Sequence, residues 1–183
     1  MPDVLLVAAT EPELGGEDGL VCGVGPVEAA AATARTLAQR DVGAVLHIGI
    51  AGARGASGIV VGDVVFGACA LYEDFGVSGF NTPRAVDADP ALVVAAAGVV
   101  GGAPITIGTT ARVGGTSECA VEAMEGFAVL RACQLAGVPA IEVRAISNLI
   151  EDARADWRVD EALAALAAVV PALIAAIGSV PRS

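Results

Sequence analysis

"AIEVRAISNLIED", Ala140 to Asp152, reads as a buried apolar strand over Ala140 to Ser147, with two small polar side chains, Ser147 and Asn148, where the strand should stop. Short apolar runs of the same kind recur at Val4 to Ala9, Leu20 to Val24, Ala44 to Ile48, Val60 to Cys69 and Ile105 to Thr109. Between them lie alanine-rich stretches. Helices are predicted at Val27 to Arg40, opened by Pro26 at a first-turn position, at about Met124 to Ala136, closed by Gly137, and at Val159 to Ile177. Asp89 and Pro90 suggest one more short helix in "DPALVVAAAG". Strands that alternate with helices imply an α/β sheet with helices on its faces. No internal repeat or linker interrupts the pattern, so one domain is expected over residues 1–183.

The formal net charge of −11 and the absence of a Lys/Arg cluster argue against nucleic acid or an anionic membrane as partner, because no basic patch could replace phosphate counterions. Hydrophobic content of 55% with only 3% aromatics reflects alanine, which fills space between close-packed elements. The uncharged segment Ala162 to Pro181 has about the length of a bilayer span. Leu163, Leu166, Val170, Leu173, Ile174 and Ile177 fall there at three- and four-residue spacings, however, which reads as a core-packing stripe. The N-terminus enters "DVLLVAAT" without a basic n-region, so a first strand and a cytoplasmic protein are expected. Cys22, Cys69, Cys119 and Cys133 lack C-x-x-C spacing, and His47 is the single histidine, so neither a metal site nor a disulfide scaffold is expected, and the thiols should be reduced and buried.

In open α/β sheets the ligand crevice lies at the carboxyl ends of the strands. Four places there carry polar side chains or glycines. "AATEPEL" puts Glu11 and Glu13 just past the first strand, in what reads as a loop. "CGVGPVEAA" resembles half of a dinucleotide fingerprint, but Glu28 replaces the third glycine and would face the phosphates. In "HIGIAGARG", Gly49 and Gly52 form a turn that would let the backbone approach a ligand, while His47 reads as a core residue. "EAMEGFAVLRAC" places Met124 and Glu125 at a helix start, where the dipole favours a carboxylate.

In combination, "AATEPE", "GVGPVEAA", "IGIAGA" followed by "GIVVGDVV", "AMEGFA" and "VRAISN" resemble the purine nucleoside phosphorylase and nucleosidase superfamily over nearly the whole chain. Within it, "VEAMEGFAVLRAC" and "IEVRAISNLIEDARADWRVDEAL" are most similar to the futalosine hydrolases, the nucleosidases of an alternative menaquinone pathway. The resemblance implies a three-layer α/β/α fold with a central mixed, twisted sheet. It also implies a homo-oligomer, a small-molecule nucleoside substrate and no cofactor.

Residue by residue, the resemblance makes Glu13 the acid that activates water and Glu125 the acceptor for the ribose 2′- and 3′-hydroxyls, with Met124 beside the sugar. Ala51, Gly52 and Ser147 fall at substrate-binding positions, and Asn148 at the position that reads the base. Adenine-releasing relatives carry Asp there. Hypoxanthine offers an acceptor at O6 and, once protonated, a donor at N7, and an amide supplies the complement of both. A purely local role, with Ser147 and Asn148 capping the turn after the strand, is the alternative. Many phosphorylases of the superfamily hold phosphate with Arg and Ser at positions matched here by His47 and Ile50, which leaves Arg54 as the one nearby cation and favours water as nucleophile. Phe75, Phe80 and Phe127 are candidates to stack on the purine, and Arg84, Arg112 and Arg154 to meet the benzoate of futalosine. A nucleosidase for methylthioadenosine or S-adenosylhomocysteine, or a non-catalytic nucleoside-binding protein, are the competing readings.

Overall fold

The computed structural model describes residues 3–76, 81–114 and 119–181. Eight strands, β1 (Val4–Ala8), β2 (Leu20–Val21), β3 (Ala44–Ala53), β4 (Val64–Tyr72), β5 (Ala85–Asp87), β6 (Ile105–Thr109), β7 (Val121–Ala123) and β8 (Ala140–Leu149), form one mixed sheet. Five helices accompany it: α1 (Glu11–Leu14), α2 (Pro26–Leu37), α3 (Pro90–Val100), α4 (Gly126–Ala136) and α5 (Val159–Gly178). α2 packs with α4, and α5 with α1 and α3, so the sheet carries helices on both faces, the α/β architecture expected from the alternating pattern.

The sheet is more than a flat layer. β1 lies parallel to β2 and β3, and β3 parallel to β8. β8 then runs antiparallel to β4, β4 parallel to β6, β6 parallel to β7, and β7 antiparallel to β3, so five strands close a circuit. A small apolar cluster of Ala51, Ala53, Ile107, Val121, Ala123 and Ile146 belongs to that circuit, separate from the main core of β1, β3, β8 and the helices. β5 and β7 are three residues each, too short to show a period in the sequence.

α5 is long and apolar enough to cross a bilayer by length and composition. Its Leu166, Val170, Leu173 and Ile177 are nonetheless buried in the core, and the helix packs on β3, β8 and α3. The three- and four-residue stripe is thus the contact face of a core helix. Asp89 caps α3 as expected, accepting from the backbone N–H groups of Ala91 and Leu92 at 2.9 and 3.1 Å.

Three sequence expectations need correction. β3 does not stop at Ile48 but continues through Ala53, so Gly49 and Gly52 are strand residues and not a turn. β8 likewise runs on to Leu149, so Asn148 lies within the strand. The register slips at this point: Ala51 pairs with Ile146 and Gly52 with Asn148, leaving Ser147 as the extra residue of a bulge. Bulges re-aim side chains and recur beside active sites. The thiols also differ from expectation, Cys22 and Cys133 being buried but Cys69 and Cys119 only half-buried.

Candidate active site

One cavity of about 510 Å³ opens at the carboxyl ends of β1, β3, β7 and β8. Glu13, Ala51, Gly52, Met124, Glu125, Ser147 and Asn148 all line it. The volume is in the range of a small-molecule site.

Glu13 reaches the cavity from a helical turn, not from a loop. Thr10, two residues past β1, precedes α1 in an extended conformation and Pro12 sits in the first turn of α1, which points Glu13 inward while Glu11 stays exposed. Glu13 Oε2 accepts from the Thr10 backbone N–H at 2.9 Å and from its hydroxyl at 2.8 Å. Oε1 accepts from the Ile50 N–H at 3.0 Å. A carboxylate has about four acceptor sites, so three bonds hold Glu13 and still leave room for one more donor.

Glu125 is the residue before α4, 4% exposed. Its Oε1 accepts from Gly25 N–H at 3.0 Å and its Oε2 from Arg144 Nη2 at 3.4 Å. The "GVG" turn therefore serves as a hydrogen-bond donor to this carboxylate and not as a phosphate cradle.

Beneath both carboxylates lies Arg144, fully buried, which reading the sequence missed. Its Nε donates to Glu142 Oε1 at 2.7 Å and its Nη2 to His47 Nε2 at 2.6 Å. His47 Nδ1 lies 3.0 Å from the Val7 carbonyl, which can only accept, so Nδ1 carries the hydrogen and Nε2 is a lone pair. Burial first, and then the Arg144 charge, hold the His47 pKa well below 6.5, in agreement with that neutral tautomer. Burial works against the Arg144 charge, but Glu142, Glu125 and Glu13 together outweigh it and the pKa is raised. Glu142 is itself pushed upward by burial, with Arg144 opposing. A signal for part of this cluster exists in the sequence, since Glu142 and Arg144 are two apart in a strand and hence on one face; the pairing of His47 with Glu142 emerges only in the sheet.

The glycines of β3 make room for these side chains and not for a ligand's approach alone. A Cβ at Gly49 would meet the Arg144 guanidinium and Glu13, and one at Gly52 would lie 3.0 Å from Asn148 Nδ2. Gly126 similarly gives way to Glu142.

Ser147 Oγ lies 2.8 Å from Asn148 Oδ1 and 3.2 Å from the Ala51 carbonyl, its one hydrogen shared between them. Asn148 Nδ2 donates to the Leu149 carbonyl at 2.7 Å. The local bonds of the capping alternative are thus present, but inside a strand and at the cavity wall. They use one N–H and one lone pair of the amide and leave one of each.

Other expectations fall differently. Phe75 and Phe127 stack on Tyr72, at ring-centroid distances of 5.9 and 5.3 Å, and do not line the cavity; Phe80 lies outside the described residues. The aromatic among the described lining residues is Trp157. Arg54 does not reach the cavity, its Nε donating to the Cys119 carbonyl at 3.3 Å. Of Arg84, Arg112 and Arg154, Arg154 lines it.

A family model described as the phosphorylase superfamily matches residues 19–177. The chain is 37% identical to a futalosine hydrolase of Streptomyces coelicolor over 179 residues, covering 82% of this chain and 75% of that protein. It is 33% identical to a futalosine hydrolase of Thermus thermophilus over 193 residues, covering 89% and 83%. Among solved structures it is similar in fold to an S-adenosylhomocysteine nucleosidase from Streptococcus pyogenes in complex with 5-methylthiotubericidin, at a TM-score of 0.84 and 23% identity, over 99% of this chain and 98% of that one.

Proposed function

The chain belongs to the phosphorylase superfamily, in the family of the futalosine hydrolases, and from that premise we propose that it cleaves the N-glycosidic bond of futalosine with water, releasing hypoxanthine on the route to menaquinone. The observation that carries this reading is the gathering of Glu13, Met124, Glu125, Ser147 and Asn148 around one cavity.

N-glycoside cleavage passes through an oxocarbenium-like sugar, so a site needs a base for water, acceptors for the ribose diol and a group that stabilises the departing purine. Glu13, held by three donors, keeps an acceptor site with which to orient and deprotonate water. Glu125, steadied by Gly25 and Arg144, accepts from the vicinal hydroxyls, and Met124 packs beside the sugar. The N–H and lone pair that Asn148 retains are a donor for O6 and an acceptor for N7–H. Ala51 supports this wall through its carbonyl, which Ser147 addresses, and Gly52 supports it by leaving space for the amide.

Water is favoured over phosphate because the lining is anionic, with Glu13, Glu122, Glu125 and Asp152, and because the Ile50 N–H is already given to Glu13. A cytoplasmic homo-oligomer completes the proposal: Val24 and Val113 line the cavity while 57% and 50% exposed, an open apolar side that a second subunit would cover.

Free purine should be quantified by chromatography after incubation with futalosine, with and without phosphate, beside inosine and methylthioadenosine. Hypoxanthine released from futalosine without phosphate is the expected result. A phosphate requirement would make the enzyme a phosphorylase, adenine from methylthioadenosine alone would make it an adenine nucleosidase, and binding without release would make it a nucleoside-binding protein.

A further inference from the structure

The cavity extends past the nucleoside-handling residues to a wall from the chain between β8 and α5. Trp157 is half-buried there, Val159 and Leu163 continue it along α5, and α5 packs against α1, which carries Glu13. Arg154 begins a helical turn over Arg154–Asp156, and its guanidinium carbon lies 4.1 Å from the centroid of the Trp157 ring. Among the described residues that line the cavity, Arg154 is the only cation, amid four carboxylates. It forms no salt bridge with a described residue, whereas Arg144 and Arg158 both do. Asp152, also on this wall, accepts from the Leu149 N–H at 2.7 Å and forms no salt bridge with Arg154.

An anionic group would be repelled by most of this cavity and could settle at one place. We propose that Arg154, stacked on Trp157, is the subsite for an aryl carboxylate carried by the nucleoside, which in futalosine is the benzoate. The inference rests on the reading of the site given above. The Arg154 guanidinium lies over the Trp157 ring, and a guanidinium edge matches a carboxylate with two parallel hydrogen bonds. Val159 and Leu163 offer apolar contact for the aryl ring beside it. A substrate ending in an uncharged alkylthio group would use the same wall without needing Arg154, so the arginine is a specificity device for the acid.

The test is calorimetric binding of futalosine and of its benzoate methyl ester to full-length Glu13→Gln protein, with and without Arg154→Gln. The ester is the internal control for folding and for nucleoside affinity. The expected result is a preference for the acid of about tenfold or more that Arg154→Gln abolishes, in keeping with the loss of a charged hydrogen-bonded pair. Arg154→Lys should restore only part of it, because an ammonium neither stacks nor forks. Equal affinity for acid and ester, a preference that survives Arg154→Gln, or no binding of either compound would overturn the proposal. If the acid preference depends on Arg154 while wild-type protein releases no hypoxanthine, the clamp stands and the proposed reaction falls. If hypoxanthine is released without that dependence, the reaction stands and the clamp falls.

Discussion

Asn148 shows what a single residue contributes once its neighbours are known. Its amide is held by Ser147 on one side and the Leu149 carbonyl on the other at the cavity wall, which leaves one donor and one acceptor unused. Asn148→Asp removes the donor for O6 at neutral pH and, when protonated, offers a donor to an unprotonated N7. Hypoxanthine release should fall by about tenfold or more, with a relative gain on adenine nucleosides, since a site built to hydrogen-bond one base is left with unpaired groups by another. Parallel rates of purine release from inosine and methylthioadenosine check this, and an unchanged ratio would remove Asn148 as base reader. At this scale the motif residues legible in the sequence are brought to one cavity, while the support beneath them is only partly legible. Glu13, Glu125 and Asn148 stand out because each falls in one of the short motifs "AATEPE", "AMEGFA" and "VRAISN". Arg144 escaped because, Glu142 apart, its partners His47 and Glu125 are distant in sequence and meet it only in the folded chain.

Elements explain why the site is held where it is. α1 is a single turn, too short to carry a helical period, and so read as a loop; its Thr10 to Glu13 bonds make it a rigid bracket for the carboxylate. β3 and β8 read as shorter than they are because glycine and asparagine normally punctuate strands. Here each glycine answers a side chain from across the strand pair. This distinction can be measured. Gly49→Ala puts a methyl group against a guanidinium that Glu142 and His47 hold in place, and should cost about 1–3 kcal/mol together with most hypoxanthine release. Gly98→Ala, on the exposed side of α3 with no atom within 4 Å of the new Cβ, should instead stabilise by about 0.5–1 kcal/mol and leave activity unchanged. Urea unfolding of the two variants beside wild type separates the cases, and a loss at Gly98 equal to that at Gly49 would refute the close-packing account.

For the whole molecule, alternating apolar and alanine-rich segments sufficed for the α/β class, and the stripe on α5 for its place in the core. The closed circuit of β3, β8, β4, β6 and β7 was not legible, because β7 is three residues long and its pairing with β3 depends on segments far apart in the chain. That closure and the layers around it bury a charged cluster, which ties global stability to pH. His47 is neutral when folded, with its pKa well below 6.5, whereas in the unfolded chain it binds a proton near that value. Its contribution to stability is therefore present above pH 6.5 and is lost as pH falls toward the folded pKa. Glu142, raised by burial, has the opposite sign: its contribution is present below 4.5 and is lost as pH rises through the folded pKa. The net charge of −11 adds a third effect, since self-repulsion relaxes as the carboxylates protonate. A difference between two proteins isolates the histidine. His47→Asn cannot titrate, so between pH 6.5 and about 5.5 wild type should lose up to about 1.4 kcal/mol of unfolding free energy per pH unit relative to the variant. Urea unfolding at several pH values measures the two slopes. Parallel slopes would mean that His47 takes up a proton in the folded state, and the lone pair assigned to Arg144 would then be lost with it.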